Sequence, residues 1–255
     1  MLSVIIITKN EAAKIRGCLE SVNFADEIVV VDSGSSDNTV EICKEYTDQV
    51  FFKEWPGFGA QKNNALALAK GDWVLSLDAD ERVDSSLQKE ILSIISTADS
   101  TGTNEKLGYD IPRRSRFCGR FMKHSGWYPD YVLRLFRREH ARFSDDKVHE
   151  KVIVNGPTGK LRHPITHLAI DSLDQAIEKM NLYSSIAADE KFKAGAKSSI
   201  LKAYFRGVWA FLKTYLLRGG ILDGRQGFTL SLCNAGGTYF KYAKLLELRR
   251  NQQAK

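Results

Sequence analysis

Asp78 and Asp80 are two carboxylates one residue apart, at the end of the apolar run Trp73-Val74-Leu75-Ser76-Leu77. At the carboxyl end of a buried strand such a pair offers hard oxygen donors. Mg2+ or Mn2+ binds there through one or two carboxylates plus the oxygens of a substrate diphosphate. A solvated acidic turn has the same residues, so the surroundings decide. Thr8, Asn10 and Asp32 also fall where apolar runs end. Polar residues recurring only at strand ends point to one shared ligand site rather than to helix capping alone.

The elements that must position these residues alternate. Leu2-Ser3-Val4-Ile5-Ile6-Ile7 is β-branched and nearly continuous, as in a parallel strand buried on both faces. It is expected to be a strand rather than a secretion signal, because no charged leader precedes it and the run is short. Asn10 is expected to cap a helix over Glu11–Ser21. A second strand covers Glu27–Val31, with a turn cluster at Asp32–Asp37 and a helix at Thr39–Tyr46 after it. A third strand is read at Gln49–Phe52, a helix at Ala60–Ala69 closed by Gly71, and then the strand ending in Asp78. Ser85 and Gln88 have capping-box spacing for a helix over Ser85–Ser96. Ala98–Lys106 reads as a loop, and Tyr109–Phe117, Tyr131–Arg137 and Val148–Val154 as strands. From Leu173 onward the pattern is mostly helical. Strand–helix alternation implies a doubly wound α/β sheet with helices on both faces. The expected division is a nucleotide-binding and catalytic domain over 1–165 and a helical extension over 166–255.

The 255 residues and 43% hydrophobic content suit a globular chain. A net charge of +6 favours an anionic partner: nucleic acid, anionic lipid or a phosphorylated substrate. The four cysteines are widely spaced without a Cys-x-x-Cys pair, which suits reduced thiols in the cytoplasm.

The residues after the first strand exclude several nucleotide sites. Thr8-Lys9-Asn10-Glu11 stands where a dinucleotide site places Gly-x-Gly-x-x-Gly, and no P-loop is present. The Gly-rich basic loop of nucleotidyltransferases is also missing. Four blocks in order carry a resemblance instead: Ser3–Glu11, Glu27–Thr39, Gln61-Lys62-Asn63-Asn64-Ala65 and Asp78-Ala79-Asp80. The chain resembles family 2 glycosyltransferases, which implies a GT-A-type mixed sheet. Gly57–Asn63, Arg134–Arg138, Val148-His149-Glu150 and Asp223–Phe228 make it similar to bacterial lipopolysaccharide inner-core β-1,4-glucosyltransferases.

The resemblance implies roles. Thr8, Asn10, Glu11 and Asp32 would line a uridine pocket, with Lys62 on the nucleotide. Asp78 would face the ribose and a metal-bound water, and Asp80 would ligate Mg2+ or Mn2+. A UDP leaving group develops negative charge that a divalent ion stabilises. An inverting transfer also needs a carboxylate to take the acceptor hydroxyl's proton. Glu150 is favoured over Asp145 and Asp146 because it lies in what reads as a strand edge. His149 would bind a phosphate or the metal, or pack against the sheet. On the acceptor side stand Arg134, Arg137, Trp127 and Arg225. Arginine pairs with carboxylate and phosphate, and aromatics stack on sugars, although a solvated charged face or a core aromatic has the same composition.

Residues 191–222 contain seven basic side chains and no acidic one, interleaved with aromatics. Leu201, Phe205, Val208, Leu212 and Tyr215 recur at helical spacing. The pattern fits a helix lying on an anionic membrane, or an amphipathic helix packed on its own domain. A span is not expected, since no uncharged stretch approaches ~20 residues. The functional expectation is an inverting, metal-dependent transfer of a hexose, glucose by the resemblance, from a UDP-sugar to a lipopolysaccharide inner-core heptose. The acceptor would be a lipid-linked anionic saccharide, and the enzyme cytoplasmic and peripheral to the inner membrane. Undecaprenyl phosphate or another surface polysaccharide is the alternative acceptor. A basic nucleic-acid-binding protein is the rival outside enzymology, but no nucleic-acid module is visible, so nucleic acid is not an expected partner.

Overall fold

A computed structural model describes residues 1–101, 106–144 and 150–253. The chain divides into two units, Met1–Arg113 with Tyr131–His167, and Arg114–Asp130 with Leu168–Lys255.

The first unit opens with β1 (Leu2–Thr8), α1 (Ala12–Ser21), β2 (Glu27–Asp32), α2 (Thr39–Lys44), β3 (Val50–Phe52), α3 (Phe58–Leu68) and β4 (Trp73–Asp78). It continues with β5 (Glu81–Arg82), α4 (Ser85–Thr101), β6 (Gly108–Phe117), β7 (Arg120–Phe121, in the second unit) and β8 (Asp130–Arg137). Then come β9 (Ala141–Phe143), β10 (Val152–Val154), β11 (Thr158–Lys160) and β12 (Ile165–Ile170). The main sheet runs β3-β2-β1-β4-β8-β6-β12-β5. β1 pairs in parallel with β2 and β4, whereas β8 runs antiparallel to β4, so the sheet is mixed as expected.

All seven residues of β1 and all six of β2 are buried. Alternate side chains enter opposite cores, as the two-residue period of a strand requires. Val4 and Ile6 pack with Ile15, Leu19, Leu87 and Ile91, whereas Ile5 and Ile7 pack with Ala65, Leu66, Phe136 and Phe143. Helices thus cover both faces, and each fully buried aliphatic side chain contributes about 1.5–3 kcal/mol.

Several local expectations are corrected. Asn10 does not cap α1. It adopts a positive φ of 56°, and the Ala12 amide donates to Asp37 Oδ2 at 3.1 Å instead. Asp84, not Ser85, caps α4, its Oδ1 accepting the Ser86 and Leu87 amides at 3.0 and 2.9 Å. α4 also runs past Ser96 to Thr101, into the expected loop. Gly71 does not close α3. Its amide donates to Ser3 Oγ at 2.8 Å, and a side chain there would collide with the backbone of Met1 and Ser3. Of the strand expected over Val148–Val154, Val148 and His149 lie outside the described residues, Glu150 and Lys151 are not strand, and Val152–Val154 pairs with β9 in a separate two-stranded ribbon. β12 is not among the strands expected from the residue pattern.

In the second unit, α5 (Leu173–Lys193) and α6 (Ile200–Leu212) are capped by Ser172 and Ser199, each hydroxyl accepting an amide at 3.2 Å. A π-turn at Lys213–Leu217 and a 3-10 turn at Gly220–Asp223 lead into α7 (Gly224–Gln253). Asp223 is fully buried and accepts from the Lys123 and His124 amides and the Ser125 hydroxyl at 3.1, 3.0 and 2.9 Å. Those bonds tie residues 123–125 to the helices.

Candidate active site

The parallel register sets Thr8 opposite Asp32 and Ile7 opposite Asp78, so the strand-end residues reach one level. Many of their polar groups bind one another. Asp32 Oδ2 accepts the Gly34 and Ser35 amides at 2.8 and 2.9 Å, and its Oδ1 accepts the Ser35 hydroxyl. Asn10 Oδ1 accepts the Ser36 amide at 2.8 Å, and the Glu11 amide donates to Thr39 Oγ1 at 2.8 Å. Asp32 and Asn10 therefore shape the loops flanking the site.

Beyond them opens a cavity of about 460 Å3 lined by Thr8, Lys9, Glu11, Trp55, Phe58, Asp78 and Asp80, among others. The buried Thr8 hydroxyl has no hydrogen-bond partner among the described residues. In native interiors such an orphan is uncommon, and it is available to a ligand. Trp55 and Phe58 stand edge to face, ring centroids 4.7 Å apart, and both are exposed. Neither was singled out from sequence; two large apolar rings flanking Pro56-Gly57 were the signal available.

Asp78 lies at the centre of a charge network. Lys62 Nζ is 2.9 Å from its Oδ1, and Arg134 Nη2 is 2.5 Å from its Oδ2. Arg134 also meets the fully buried Glu81 at 2.7 Å, and Arg113 approaches Glu81 at 3.5 Å. Glu81 Oε2 in turn accepts the Asp78 amide at 3.0 Å, fixing the turn between the two aspartates. Burial pushes the Asp78 carboxyl up, but Arg134 and Lys62 outweigh it and hold the group well below the usual carboxylate range. Burial opposes the charge on Arg134, and Asp78 and Glu81 restore it, so its pKa is raised.

Asp80 has a different neighbour. His167 Nε2 lies 3.5 Å from its Oδ2, both side chains being largely buried. His167, at the end of the first unit, was missed because the long stretch of sequence between the two residues hides the proximity. The Asp80 carboxylate is a hard oxygen donor of the kind Mg2+ or Mn2+ takes, with the softer imidazole beside it. No group of three or more acidic, His or Cys side chains with metal-site geometry occurs among the described residues. Two protein ligands beside a cavity fit an ion that draws its remaining oxygens from a diphosphate.

Lys62 joins the second candidate to this network: its Nζ is 3.0 Å from Glu150 Oε1. α3 holds the lysine there. Asn63 grips the Phe143 backbone on both sides, donating from Nδ2 to its carbonyl at 3.0 Å and accepting its amide at 2.9 Å. Gly59 carries no side chain where one would strike the Ser144 carbonyl. Asp145, Asp146 and His149 lie outside the described residues. Arg134 is placed inside the charge network, not on an open surface. Arg137 pairs with Trp73 at the other end of β4 and stacks on its ring at 4.5 Å, so the structure does not bring it to the cavity. Trp127 and Arg225 belong to the second unit. There Trp127 packs edge-on against Phe117, and Arg225 is exposed in the first turn of α7.

The model of "Glycosyl transferase family 2" matches residues 3–145. An uncharacterised glycosyltransferase of Rickettsia prowazekii is 34% identical over 262 residues, covering 99% of this chain and 89% of its own. The lipopolysaccharide core biosynthesis glycosyltransferase LpsC of Rhizobium meliloti is 31% identical, over 96% and 92% of the two chains. Among solved structures, residues 1–349 of S. aureus TarS in complex with UDP align at 18% identity with a TM-score of 0.49, over 99% of this chain and 92% of that one. The chain belongs to glycosyl transferase family 2, and it is a glycosyltransferase.

Proposed function

We propose that this enzyme transfers a hexose, glucose by its motif resemblance, from a UDP-sugar to a heptose of the lipopolysaccharide inner core, with inversion and with a divalent metal. The observation that carries the proposal is the cavity at the strand ends, where an orphaned Thr8 hydroxyl, two aromatic rings and the Asp78–Asp80 pair converge. Trp55 and Phe58 offer apolar faces to a uracil ring, and Thr8 a hydroxyl to the nucleoside. Asp78, kept ionised by its cations, accepts from the ribose. Asp80 and His167 would hold Mg2+ or Mn2+, which supplies charge stabilisation to the departing diphosphate. Glu150 takes the proton from the acceptor hydroxyl, with Asp145 and Asp146 as the alternative carboxylates; Lys62 keeps Glu150 beside Asp78. The acceptor side is supported by the likeness to LpsC, and a peripheral enzyme at the cytoplasmic face of the inner membrane would meet a lipid-linked acceptor there.

The test is a thermal-shift screen of UDP-sugars with Mn2+, then transfer to purified inner-core acceptor. Ligand at a hundred times its Kd adds about 2.7 kcal/mol to stability. Stabilisation by one UDP-sugar, and product bearing one new hexose, is expected. No stabilisation by any UDP-sugar, or transfer only to undecaprenyl phosphate, overturns the proposal.

A further inference from the structure

α6 is amphipathic in the opposite sense to an ordinary surface helix. Its fully buried side chains are small, and of its large ones Phe211, half-buried, packs edge to face on Phe228 of α7 at 5.7 Å. Ala203 and Gly207 are buried, as is Thr214 in the π-turn, and α7 approaches so closely that a Cβ on Gly207 would lie 3.2 Å from the Ala235 carbonyl oxygen and from the Tyr239 side chain. Its other large apolar side chains point out. Leu201, Tyr204, Phe205, Val208, Trp209 and Leu212 are all exposed, Leu201 by 66% and Phe205 by 65%. At 100° per residue the exposed set is centred opposite the small-residue seam. The turn after α6 extends the pattern, with Leu216, Leu217, Ile221 and Leu222 exposed.

A helix that packs on its own protein buries its large apolar residues. This one exposes most of them, and contiguous exposed apolar surface marks an interaction site. Its charges say with what. Lys202, Arg206 and Lys213 flank the apolar stripe on one side, and residues 191–222 carry no carboxylate; the next is the buried Asp223. A second copy docked antiparallel about a two-fold axis would set those cations on the same side of the seam, against their own equivalents, which is repulsive. An anionic lipid surface meets both features at once: headgroup phosphates face the cations, and the acyl boundary takes the aromatics. No helix among the described residues is long and apolar enough to cross a membrane.

We propose that the outward face of α6, with the turn after it, docks in the plane of an anionic lipid monolayer, inserting Phe205, Trp209 and the leucines of the turn. This deepens the reading of a lipid-linked acceptor but stands on the geometry of the second unit.

The test is flotation of the full-length protein with phosphatidylglycerol-containing vesicles and with phosphatidylcholine vesicles, at low and high salt. The wild type is expected to float with the anionic vesicles, less strongly but measurably at high salt, because the apolar component is not screened. Lys202→Glu, Arg206→Glu and Lys213→Glu together are expected to cut low-salt partitioning on the order of a hundredfold, at about fivefold per cation. Phe205→Ser with Trp209→Ser is expected to abolish the high-salt fraction. Melting temperature and UDP-sugar hydrolysis report whether the variants stay folded and active. The proposal fails if the wild type does not float at low salt, or if the variants float as it does. It fails equally if the protein is a dimer that Phe205→Ser with Trp209→Ser makes monomeric. Flotation without any UDP-sugar hydrolysis leaves this proposal standing and removes the functional one.

Discussion

The cavity of the first unit and the outward face of α6 in the second spend their side chains in opposite ways. Around Asp78, the charged side chains of Lys62, Glu81, Arg134 and Glu150 are linked to it or to one another by contacts of 3.0 Å or less, with Lys62, Glu81 and Arg134 buried. Along α6, large apolar residues stand in water and the buried ones are small. The first region is costly to assemble and rigid once assembled, because each buried charge depends on its partners. The second contributes little to folding, since its apolar area stays exposed. Stability and affinity are thereby separated along the chain: mutations in the buried ion pairs around Asp78 should disturb both fold and chemistry, whereas mutations on the helix face should disturb neither.

The largest expected effect is at Asp80. Asp80→Asn keeps the volume and removes the charge of the proposed metal ligand, so transfer should be abolished with the melting temperature unchanged. More than a tenth of wild-type turnover, measured with saturating UDP-sugar, would remove Asp80 from the essential ligands. Glu150→Gln should lower turnover about a hundredfold, a typical contribution of a general base, while UDP binding by calorimetry stays near wild type. If Asp145→Asn or Asp146→Asn has that phenotype and Glu150→Gln does not, the proton goes elsewhere.

Arg134→Met tests the dependence of buried charges on one another. It should destabilise by about 3 kcal/mol in urea unfolding, the low end for a broken buried pair because Lys62 and Arg113 remain. Asp78 contributes to the pH dependence, and Arg134 acts on that contribution. A carboxyl whose folded pKa is depressed adds stability above its unfolded value of about 3.9 and loses it as the pH falls through the folded value. Arg134→Met should therefore move acid unfolding to higher pH; an unmoved midpoint would mean the pair is energetically idle. The smallest effect belongs to the other region. Phe205→Ser with Trp209→Ser should change unfolding free energy by no more than about 0.5 kcal/mol per site. A larger loss would show that the face packs on something within the chain.

The parallel strands were legible because each is a continuous β-branched run, and Asp78-Ala79-Asp80 because it ends one of them. Local capping was less so: Asp84 and Ser85 are both good caps, and only the fold decides which hydroxyl or carboxylate meets the free amides. His167 could not be paired with Asp80 from spacing, since the contact is made by β12 returning beside β5. The polar cluster at Asp32–Asp37 has the composition of a ligand-facing loop, yet most of its visible bonds knit the loops together. At α6 the spacing was plain, but which stripe faced inward depended on the small size of Ala203 and Gly207, a packing property that periodicity does not carry.

The grip of Asn63 on Phe143 has a consequence for local opening. A side-chain carboxamide here imitates a neighbouring strand, satisfying both the amide and the carbonyl of one residue from a helix. The β9–β10 ribbon is only three residues long on each side, and such ribbons fray readily in isolation. With its end clamped to α3, the Phe143 amide should exchange with solvent as slowly as the helix does and much more slowly than Arg142 beside it. Native-state hydrogen exchange at that single amide would then report the opening of α3, the element that carries Lys62.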